Sequence, residues 1–255
     1  RHKVTSRRWF RDGALHHDGP VDASDRAAHE SALARMSAHA ALLKTGLTRD
    51  HHGNDIAGHS LASYLDMLGA PQATRDLVSA WWTVSGNGDK TRVPASEFLH
   101  SISYFDGTPD GMCEVWADTL EGGVHALVAR MLAACGATVL HDAAVNHVAH
   151  GTGGVIATLA DGRVFHARSA IIATGINPLS QIAFHPPLDG VKAQGQKAGH
   201  LGRAVKVWAK IDGVPVGIVA TGGGSGIEWM FAERATSDGA ALAVGFGVAA
   251  NGYEP

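Results

Sequence analysis

The stretch from residue 120 to residue 188 constrains the fold more than any other part of the chain, because helical and strand periodicities follow each other within it. It opens on the glycine pair Gly122-Gly123. Gly136 stands where a helix C-terminus favours a residue that tolerates a positive φ angle. Between these glycines, apolar side chains recur with the spacing that places them on one face of an amphipathic helix. They are Val124, Leu127, Val128, Met131, Leu132 and Cys135.

Strand-like runs and a hairpin follow this helix. Asp161-Gly162 is a pair suited to a tight hairpin turn, and it lies between two runs in which apolar and polar residues alternate. Short β-prone runs precede the hairpin. The expected strands lie at residues 138–140, 145–148, 155–159 and 164–167.

Residues 170–173 form an unbroken apolar run, which predicts a strand buried on both faces. The order of helix, strands, hairpin and buried strand is typical of a doubly wound sheet with an inserted β-meander. Ligands bind to such sheets at the carboxyl ends of the parallel strands. Thr174 and Gly175 directly follow the apolar run, so we expect them at such an end.

These segments resemble the central part of the flavin-dependent amine oxidases, a family that includes monoamine oxidases and L-amino-acid oxidases. The resemblance rests on Gly122-Gly123 with its helix, on LADGRVFHARSAIIATG and on NPLSQIAFHPPL, and it covers roughly residues 55–246. It implies an α/β protein with mixed α+β parts. An incomplete FAD/NAD(P)-binding doubly wound domain would be combined with a substrate domain made of helices and a mixed sheet.

The resemblance also implies a division of the chain. Residues 1–118, mostly helical, would belong to the substrate domain, residues 119–185 to the FAD-binding domain, and residues 186–255 again to the substrate domain as part of a mixed sheet. Helices are expected from Asp22 or Ser24 to Lys44, 60–69, 71–86 and 94–105, and strands at 204–211, 216–221, 229–231 and 240–246.

Composition excludes several classes of protein. A formal net charge of -3 gives no electrostatic case for a nucleic-acid partner. No apolar run approaches the ~20 residues that a membrane span needs. Cys113 and Cys135 form neither a disulfide framework nor a zinc ligand set, which favours a reducing, cytoplasmic compartment. The 16 histidines show no metal-ligand spacing, so no metal site is predicted.

Lys206 is the candidate catalytic residue. It lies in the alternating run GRAVKVWAKI, which places Ala204, Lys206 and Trp208 on one face of a strand. By resemblance, a lysine at this place holds a water molecule beside flavin N5. The alternative is a lysine on an edge strand that faces solvent.

Four further residues are candidates for FAD binding by resemblance. Val145 matches the valine whose backbone contacts the adenine end of FAD in the family. Ala173, Thr174 and Gly175 occupy the turn after the apolar run, where relatives usually have a proline. The first proline here is Pro178, which departs from the family's pattern in this turn.

Candidate substrate contacts come from two helices. Phe98, Ile102 and Phe105 share one helical face that, by resemblance, could line the substrate cavity, although core packing is the favoured role for any one of them. Ala126 falls where some relatives place a larger polar residue, which indicates a different or roomier cavity.

The resemblance therefore implies FAD-dependent oxidation of a small amine. A hydride equivalent would pass to flavin N5, the imine would hydrolyse, and oxygen would become hydrogen peroxide. A desaturase or a protoporphyrinogen-oxidase-like flavoenzyme is the nearest alternative. Both ends of the sequence look cut, so a non-catalytic fragment unable to hold FAD is the third hypothesis, and a homo-oligomer stays open.

Overall fold

The five helices that the sequence predicts begin and end close to their expected residues, and two further helices, residues 176–179 and 190–198, were not predicted. The computed structural model describes residues 4–11, 13–86, 88–113, 120–200, 202–223 and 226–248. Its helices are α1 (Arg26–Lys44), α2 (Leu61–Met67), α3 (Gln72–Ser85), α4 (Ala95–Tyr104), α5 (Gly123–Cys135), α6 (Ile176–Leu179) and α7 (Gly190–Ala198), with a 3₁₀ turn at Asp110–Cys113.

Within the described ranges the strands form two mixed sheets, which confirms the α/β class with mixed parts. A six-stranded sheet has the order β2-β1-β8-β9-β10-β7, and a four-stranded sheet has the order β5-β4-β3-β6. The strands are β1 (Ser6–Arg11), β2 (Ala14–His16), β3 (Val145–Gly151), β4 (Gly154–Leu159), β5 (Val164–Ala167), β6 (Ala183–His185), β7 (Ala204–Ile211), β8 (Ile218–Gly222), β9 (Trp229–Ala235) and β10 (Ala241–Val248).

The chain divides into two compact units. Unit 1 consists of residues 1–120 and 202–255, and unit 2 of residues 121–201. Unit 2 is thus inserted into the chain of unit 1. Which unit serves the cofactor and which the substrate stays a prediction.

In unit 1, the helices enclose an apolar core. α1 and α2 both pack against α4. Met36, Tyr64 and Phe98 are fully buried there, one from each of these helices. The Ser60 hydroxyl accepts a hydrogen bond from the backbone N–H of Ser63, which caps the first turn of α2 as its sequence predicts.

The six-stranded sheet of unit 1 has its own smaller apolar cluster. Val219, Trp229, Phe231 and Val244 are buried together on one face of the sheet, and Val84 from α3 packs against them. α3 also lies against β8, β9 and β10. This helix therefore joins the helical core to the sheet.

Unit 2 contains the predicted helix and hairpin. α5 ends at Gly136, which has a φ of 61°, and the β4–β5 turn contains Gly162 with a φ of 89°. β3 pairs with β4 in antiparallel and with β6 in parallel orientation. Local sequence rules predicted the end of α5 and the hairpin turn because turn and cap residues act on their immediate neighbours. β6 and its pairing with β3 were not predicted.

Two strand predictions in unit 2 are wrong. Residues 138–140 and 170–173 are irregular, and no strand among the described residues pairs with either run. Ile171 is 93% exposed, so the second run is not buried at all. A strand buried on both faces needs paired neighbours and covering helices, and these contacts are absent from the described part of unit 2.

Candidate functional site

A straight row of side chains crosses one face of the six-stranded sheet. Trp9 pairs with Thr221, and Thr221 pairs with Trp229. Trp229 pairs with Phe246, and Phe246 pairs with Lys206. Side chains directly opposite each other on paired strands project from the same face of a sheet. We call these five residues the aromatic row, and it ends at the predicted catalytic lysine.

Lys206 lies between two aromatic rings. Its Nζ is 5.2 Å from the ring centroid of Trp208 and 5.1 Å from that of Phe246. Both distances fall within the ~6 Å range of cation–π contacts, in which the ring face attracts an ammonium group. The two rings therefore hold the charged end of Lys206 on this face of the sheet.

The neighbouring ring supports this arrangement. Phe246 meets Trp229 edge to face, with ring centroids 5.5 Å apart, and Trp229 is itself buried. Trp208 is 50% exposed because β7 is an edge strand. The strand alternation predicted that Lys206 and Trp208 share a face, whereas the approach of Phe246 depends on the pairing of β7 with β10.

A cavity of about 290 Å³ lies over the other end of the row. Trp9 and Thr221 belong to its sheet wall, and Trp81 from α3 forms an opposite wall. Arg7 from β1 and Asp110 from the 3₁₀ turn bring opposite charges to the same space. We call it the β1–α3 cavity, lined by Arg7, Trp9, Pro20, His29, Leu77, Trp81, Asp110 and Thr221.

His29 from α1 forms a buried wall of this cavity. Its Nδ1 lies 2.9 Å from the hydroxyl oxygen of Thr74. Burial lowers the pKa of His29 below its usual value, and the Asp110 and Glu30 carboxylates only partly oppose that effect. A neutral imidazole at this wall leaves Arg7 as its cationic group at neutral pH.

The predicted FAD-binding residues belong to unit 2, whereas Lys206 belongs to unit 1. Val145 begins β3 opposite Leu159 and is half-buried. Ala173 and Thr174 belong to an exposed segment, and Gly175 precedes α6. Their contacts with FAD stay predictions.

Gly175 tests whether this turn could accept a cofactor. Its φ of -59° is open to any residue. A Cβ added at Gly175 would meet only Pro178 Cδ, at an ordinary contact distance of 3.6 Å. The protein's own packing therefore does not require glycine here, and the open space is compatible with the close approach of a ligand to the backbone.

The predicted substrate contacts are divided between the two units. Phe98 and Ile102 are fully buried in the helical core, so neither has exposed surface for a ligand in this arrangement. Phe105 is half-buried and packs against the same core. Ala126 is half-buried on α5 in unit 2. The geometry brings Phe98, Ile102 and Phe105 together and leaves their substrate role a prediction.

Sequence reasoning missed a buried polar cluster in the helical block. Nδ1 of His39 lies 2.8 Å from the Tyr64 hydroxyl oxygen, and its Nε2 lies 3.7 Å from an Asp50 carboxylate oxygen. Asp50 also accepts hydrogen bonds from the backbone of His52 and from both nitrogens of Asn54. His39 follows Met36 by three residues on α1, and this helical spacing is the only sequence signal that its side chain is buried. No local pattern links His39 to Asp50.

Hydrogen bonding and burial shift the pKa values of this cluster. The side-chain hydrogen bond from Asn54 is the main cause that lowers the pKa of Asp50 to about 2. Burial lowers the pKa of His39 and raises that of Tyr64. The cluster is thus a neutral histidine and a neutral phenol beside a carboxylate.

Two other kinds of feature are absent from the described part of the chain. No group of three or more histidine, cysteine or acidic side chains suited to a metal ion occurs within the described ranges. None of the helices in those ranges combines the length and apolar character that a membrane crossing requires.

Comparison with known proteins places the fold in a family. The family model described as flavin containing amine oxidoreductase matches residues 6–253. A curated relative, (S)-6-hydroxynicotine oxidase of Paenarthrobacter nicotinovorans, is 27% identical over 213 residues, which are 80% of this chain and 48% of the relative. The chain thus spans about half the length of that relative.

Solved structures share the fold over nearly the whole chain. Putrescine oxidase bound to putrescine superposes with a TM-score of 0.77 at 17% identity, and cyclohexylamine oxidase from Brevibacterium oxydans with a TM-score of 0.70 at 18% identity. Each comparison covers 97% of this chain and 58% of the other.

Proposed function

Because the chain belongs to the family of flavin containing amine oxidoreductases, we propose that it is part of an enzyme that oxidises a small amine with FAD as its cofactor. The position of Lys206 carries this proposal. Its ammonium group is held between Trp208 and Phe246 on one face of the sheet. The amine-oxidising relatives support the choice of substrate class.

FAD, when bound, would supply the acceptor for a hydride equivalent from the carbon beside the amine nitrogen, and oxygen would be reduced to hydrogen peroxide on its reoxidation. The imine product hydrolyses in water. Lys206 would hold a water molecule near the reacting atoms and place a positive charge where negative charge develops. The aromatic rings around it fix its direction.

The cofactor-holding residues of the proposal lie in unit 2. The backbone of Val145 would contact the adenine end of FAD. The turn formed by Ala173, Thr174 and Gly175 would approach the flavin closely, as the open space at Gly175 allows. In this scheme unit 2 belongs to the FAD-binding domain, and unit 1 supplies the substrate domain.

The decisive experiment combines a spectrum with a substrate panel. The purified protein is mixed with FAD and dialysed, and the visible spectrum of retained flavin is recorded. Small amines are then supplied, and peroxide is measured. Lys206→Met should retain flavin and lower turnover by ~10²-fold, the usual effect of removing one charge-stabilising donor. Gly175→Ala should fold normally and retain less flavin.

Three results would argue against the proposal. A protein that retains no flavin favours the non-catalytic alternative. A flavoprotein that ignores amines but converts a polyene or a porphyrinogen favours the desaturase or protoporphyrinogen-oxidase alternative. Full turnover by the Lys206→Met variant would show that the lysine takes no part in the reaction. A cytoplasmic location and a homo-oligomer are further expectations, which fractionation and gel filtration would check.

A further inference from the structure

We propose that residues 226–228 hold Phe246 in place for Lys206, and that the hydrogen bond between Thr83 and Glu228 fixes this segment. Thr83 and Glu228 are then positioning residues for the lysine. No sequence pattern points to either of them. The inference rests on the proposed function for its effect on turnover, whereas the placement itself can be measured without a flavin.

The 226–228 segment lies directly against the backbone of β10. A Cβ added at Gly247 would collide with the backbone oxygen of Gly226. A Cβ added at Gly245 would lie 2.9 Å from Cγ2 of Ile227, which is too close for carbon atoms that are not bonded. Glycine at both positions of the strand therefore permits the close approach of the segment.

Phe246 stands between these two glycines. Its backbone oxygen accepts a hydrogen bond of 2.9 Å from the backbone N–H of Glu228. Its ring meets the ring of Trp229 edge to face and lies 5.1 Å from Nζ of Lys206. The segment thus holds the strand at the residue whose ring contacts the lysine.

Glu228 connects the segment to α3. Oγ of Thr83 donates a hydrogen bond of 2.5 Å to Oε2 of Glu228, and Thr83 is only 1% exposed. A distance of about 2.5–2.7 Å is typical of a hydroxyl that donates to an ionised carboxylate, and such a bond is roughly twice as strong as a neutral one. It fixes the residue before Trp229 to a buried point of the helix.

Three contacts within unit 1 lead from the helix to the lysine. Thr83 holds the Glu228 side chain, and the Glu228 backbone holds that of Phe246. The Phe246 ring then attracts the ammonium group of Lys206. This attraction weakens as the distance to the ring grows, so a loosened segment would release the ammonium group from one of its two rings.

The test measures the ¹³C methyl signal of Lys206 after reductive methylation of the 255-residue chain. Ring currents displace this signal, which is assigned by its loss in Lys206→Met. Phe246→Leu gives its position without the Phe246 ring. Thr83→Val and Glu228→Ala should each move the signal at least about half of the way to that position, because each removes the bond that fixes the segment. Thr83→Ser keeps the hydroxyl and should leave the signal in place.

Two further comparisons test whether the effect passes through this segment. The double variant Thr83→Val with Glu228→Ala should move the signal no further than either single variant, because both residues act through one bond. Gly247→Ala should also move the signal, since its Cβ collides with the segment. Gly226→Ala is the matched control and should leave the signal in place, because a Cβ there meets nothing within 4 Å.

Two more variants control for effects on the helix and on stability. The Ser85 hydroxyl donates to the backbone oxygen of Trp81, so Ser85→Ala removes a hydroxyl of α3 without the bond to Glu228. Ile102→Val weakens the helical core instead. Both should leave the Lys206 signal unchanged. Circular dichroism confirms that each variant folds, and Glu228→Ala tests the bond independently if α3 does not tolerate a change at Thr83.

The outcome separates this inference from the proposed function. A Lys206 signal that stays in place in Thr83→Val or in Glu228→Ala, or an equal shift in Ser85→Ala, would overturn the inference even if the protein oxidises amines. The expected shifts support it even if Lys206→Met turns over fully. In the turnover assay, Thr83→Val should lower kcat with little change in KM, because the lysine acts on charge that develops during the reaction.

Discussion

At the scale of single residues, Lys206 shows how neighbouring side chains fix the direction of a flexible one. A lysine on an exposed edge strand normally samples many rotamers. Here Trp208 lies two residues further along the same strand and Phe246 directly across from it. The centroids of these two rings lie 5.2 and 5.1 Å from Nζ of Lys206, and both ring faces attract its ammonium group.

This geometry predicts a ring-current effect on Lys206. After reductive methylation with ¹³C-formaldehyde, the methyl signal of Lys206 should lie upfield of the other lysine signals. Trp208→Leu or Phe246→Leu should move it part of the way back, because each removes one ring. Lys210 on the same strand pairs with Asp238 instead and is the control. A Lys206 signal that neither variant moves would contradict the contact.

The buried cluster around His39 belongs to the same scale. Burial lowers the pKa of His39 in the folded protein, and Asp50 only partly opposes this. The unfolded chain has an ordinary histidine with a pKa near 6.5. Below that pH the unfolded state binds more protons than the folded state. The free energy of unfolding therefore falls as the pH drops from 6.5 toward the lowered folded pKa.

This prediction is checked by measuring the midpoint of urea unfolding at pH 8 and at pH 5.5. The wild-type midpoint should be lower at pH 5.5, with His29 adding to the effect in the same direction. His39→Gln, which can still accept from the Tyr64 hydroxyl, should show a smaller difference. His17→Gln, at an exposed position, should match the wild type. At lower pH, protonation of Asp50 adds a further loss of stability as the pH falls from about 3.8 to about 2.

At the scale of elements, α4 illustrates how the apolar face of a helix is buried in the core. Phe98 and Ile102 are fully buried, and the Phe98 ring meets the Trp82 ring of α3 edge to face at 6.4 Å. The opposite face of α4 is open, as the 83% exposure of Tyr104 shows. The apolar face of this helix is thus used for packing against α1, α2 and α3.

A truncation series on α4 follows from this packing. Phe98→Ala should lower the free energy of unfolding by about 3–5 kcal/mol, and Ile102→Val by about 0.5–1.5 kcal/mol, because each leaves a cavity in a filled core. Tyr104→Ala should stay within about 0.5 kcal/mol of the wild type. Chemical unfolding measures all three. An unchanged stability in Phe98→Ala would instead favour the substrate role predicted from the sequence.

At the scale of the whole molecule, the two units differ in how they use apolar surface. Unit 1 buries a large helical core and a sheet cluster. In unit 2, α5 has no buried residue, and its Met131 is 62% exposed. Leu127 and Val128 on the same helix are exposed as well. Contiguous exposed apolar surface of this kind binds hydrophobic ligands and promotes association.

This difference predicts dye binding by the chain. The 255-residue chain should enhance the fluorescence of anilinonaphthalene sulfonate while its secondary structure is intact. Leu127→Lys with Met131→Lys should reduce that fluorescence strongly without a change in circular dichroism. Val191→Lys, an exposed apolar position on α7, should reduce it little. An unchanged signal in the double variant would show that the α5 face is not the binding surface.

The wrong strand prediction at residues 170–173 in unit 2 shows the limit of local rules. The apolar run at residues 170–173 had a correct composition for a buried strand, yet it stays exposed. Its burial would depend on neighbours at other places in the sequence, and no periodicity within four residues specifies these. α5 shows the same division, since its helical form was predicted and the partner for its apolar face was not.

The sequence by itself determined what depends on residues close in the chain: the extents of α1 to α5, the Ser60 cap, the Asp161-Gly162 turn, and the shared face of Lys206 and Trp208. Tertiary structure decided which distant groups meet. It placed Phe246 beside Lys206, Asp50 near His39, and Arg7 and Asp110 around one cavity. Helix and turn preferences act through bonds and neighbours a few residues away, whereas strand order and register are set by burial and pairing across the whole chain.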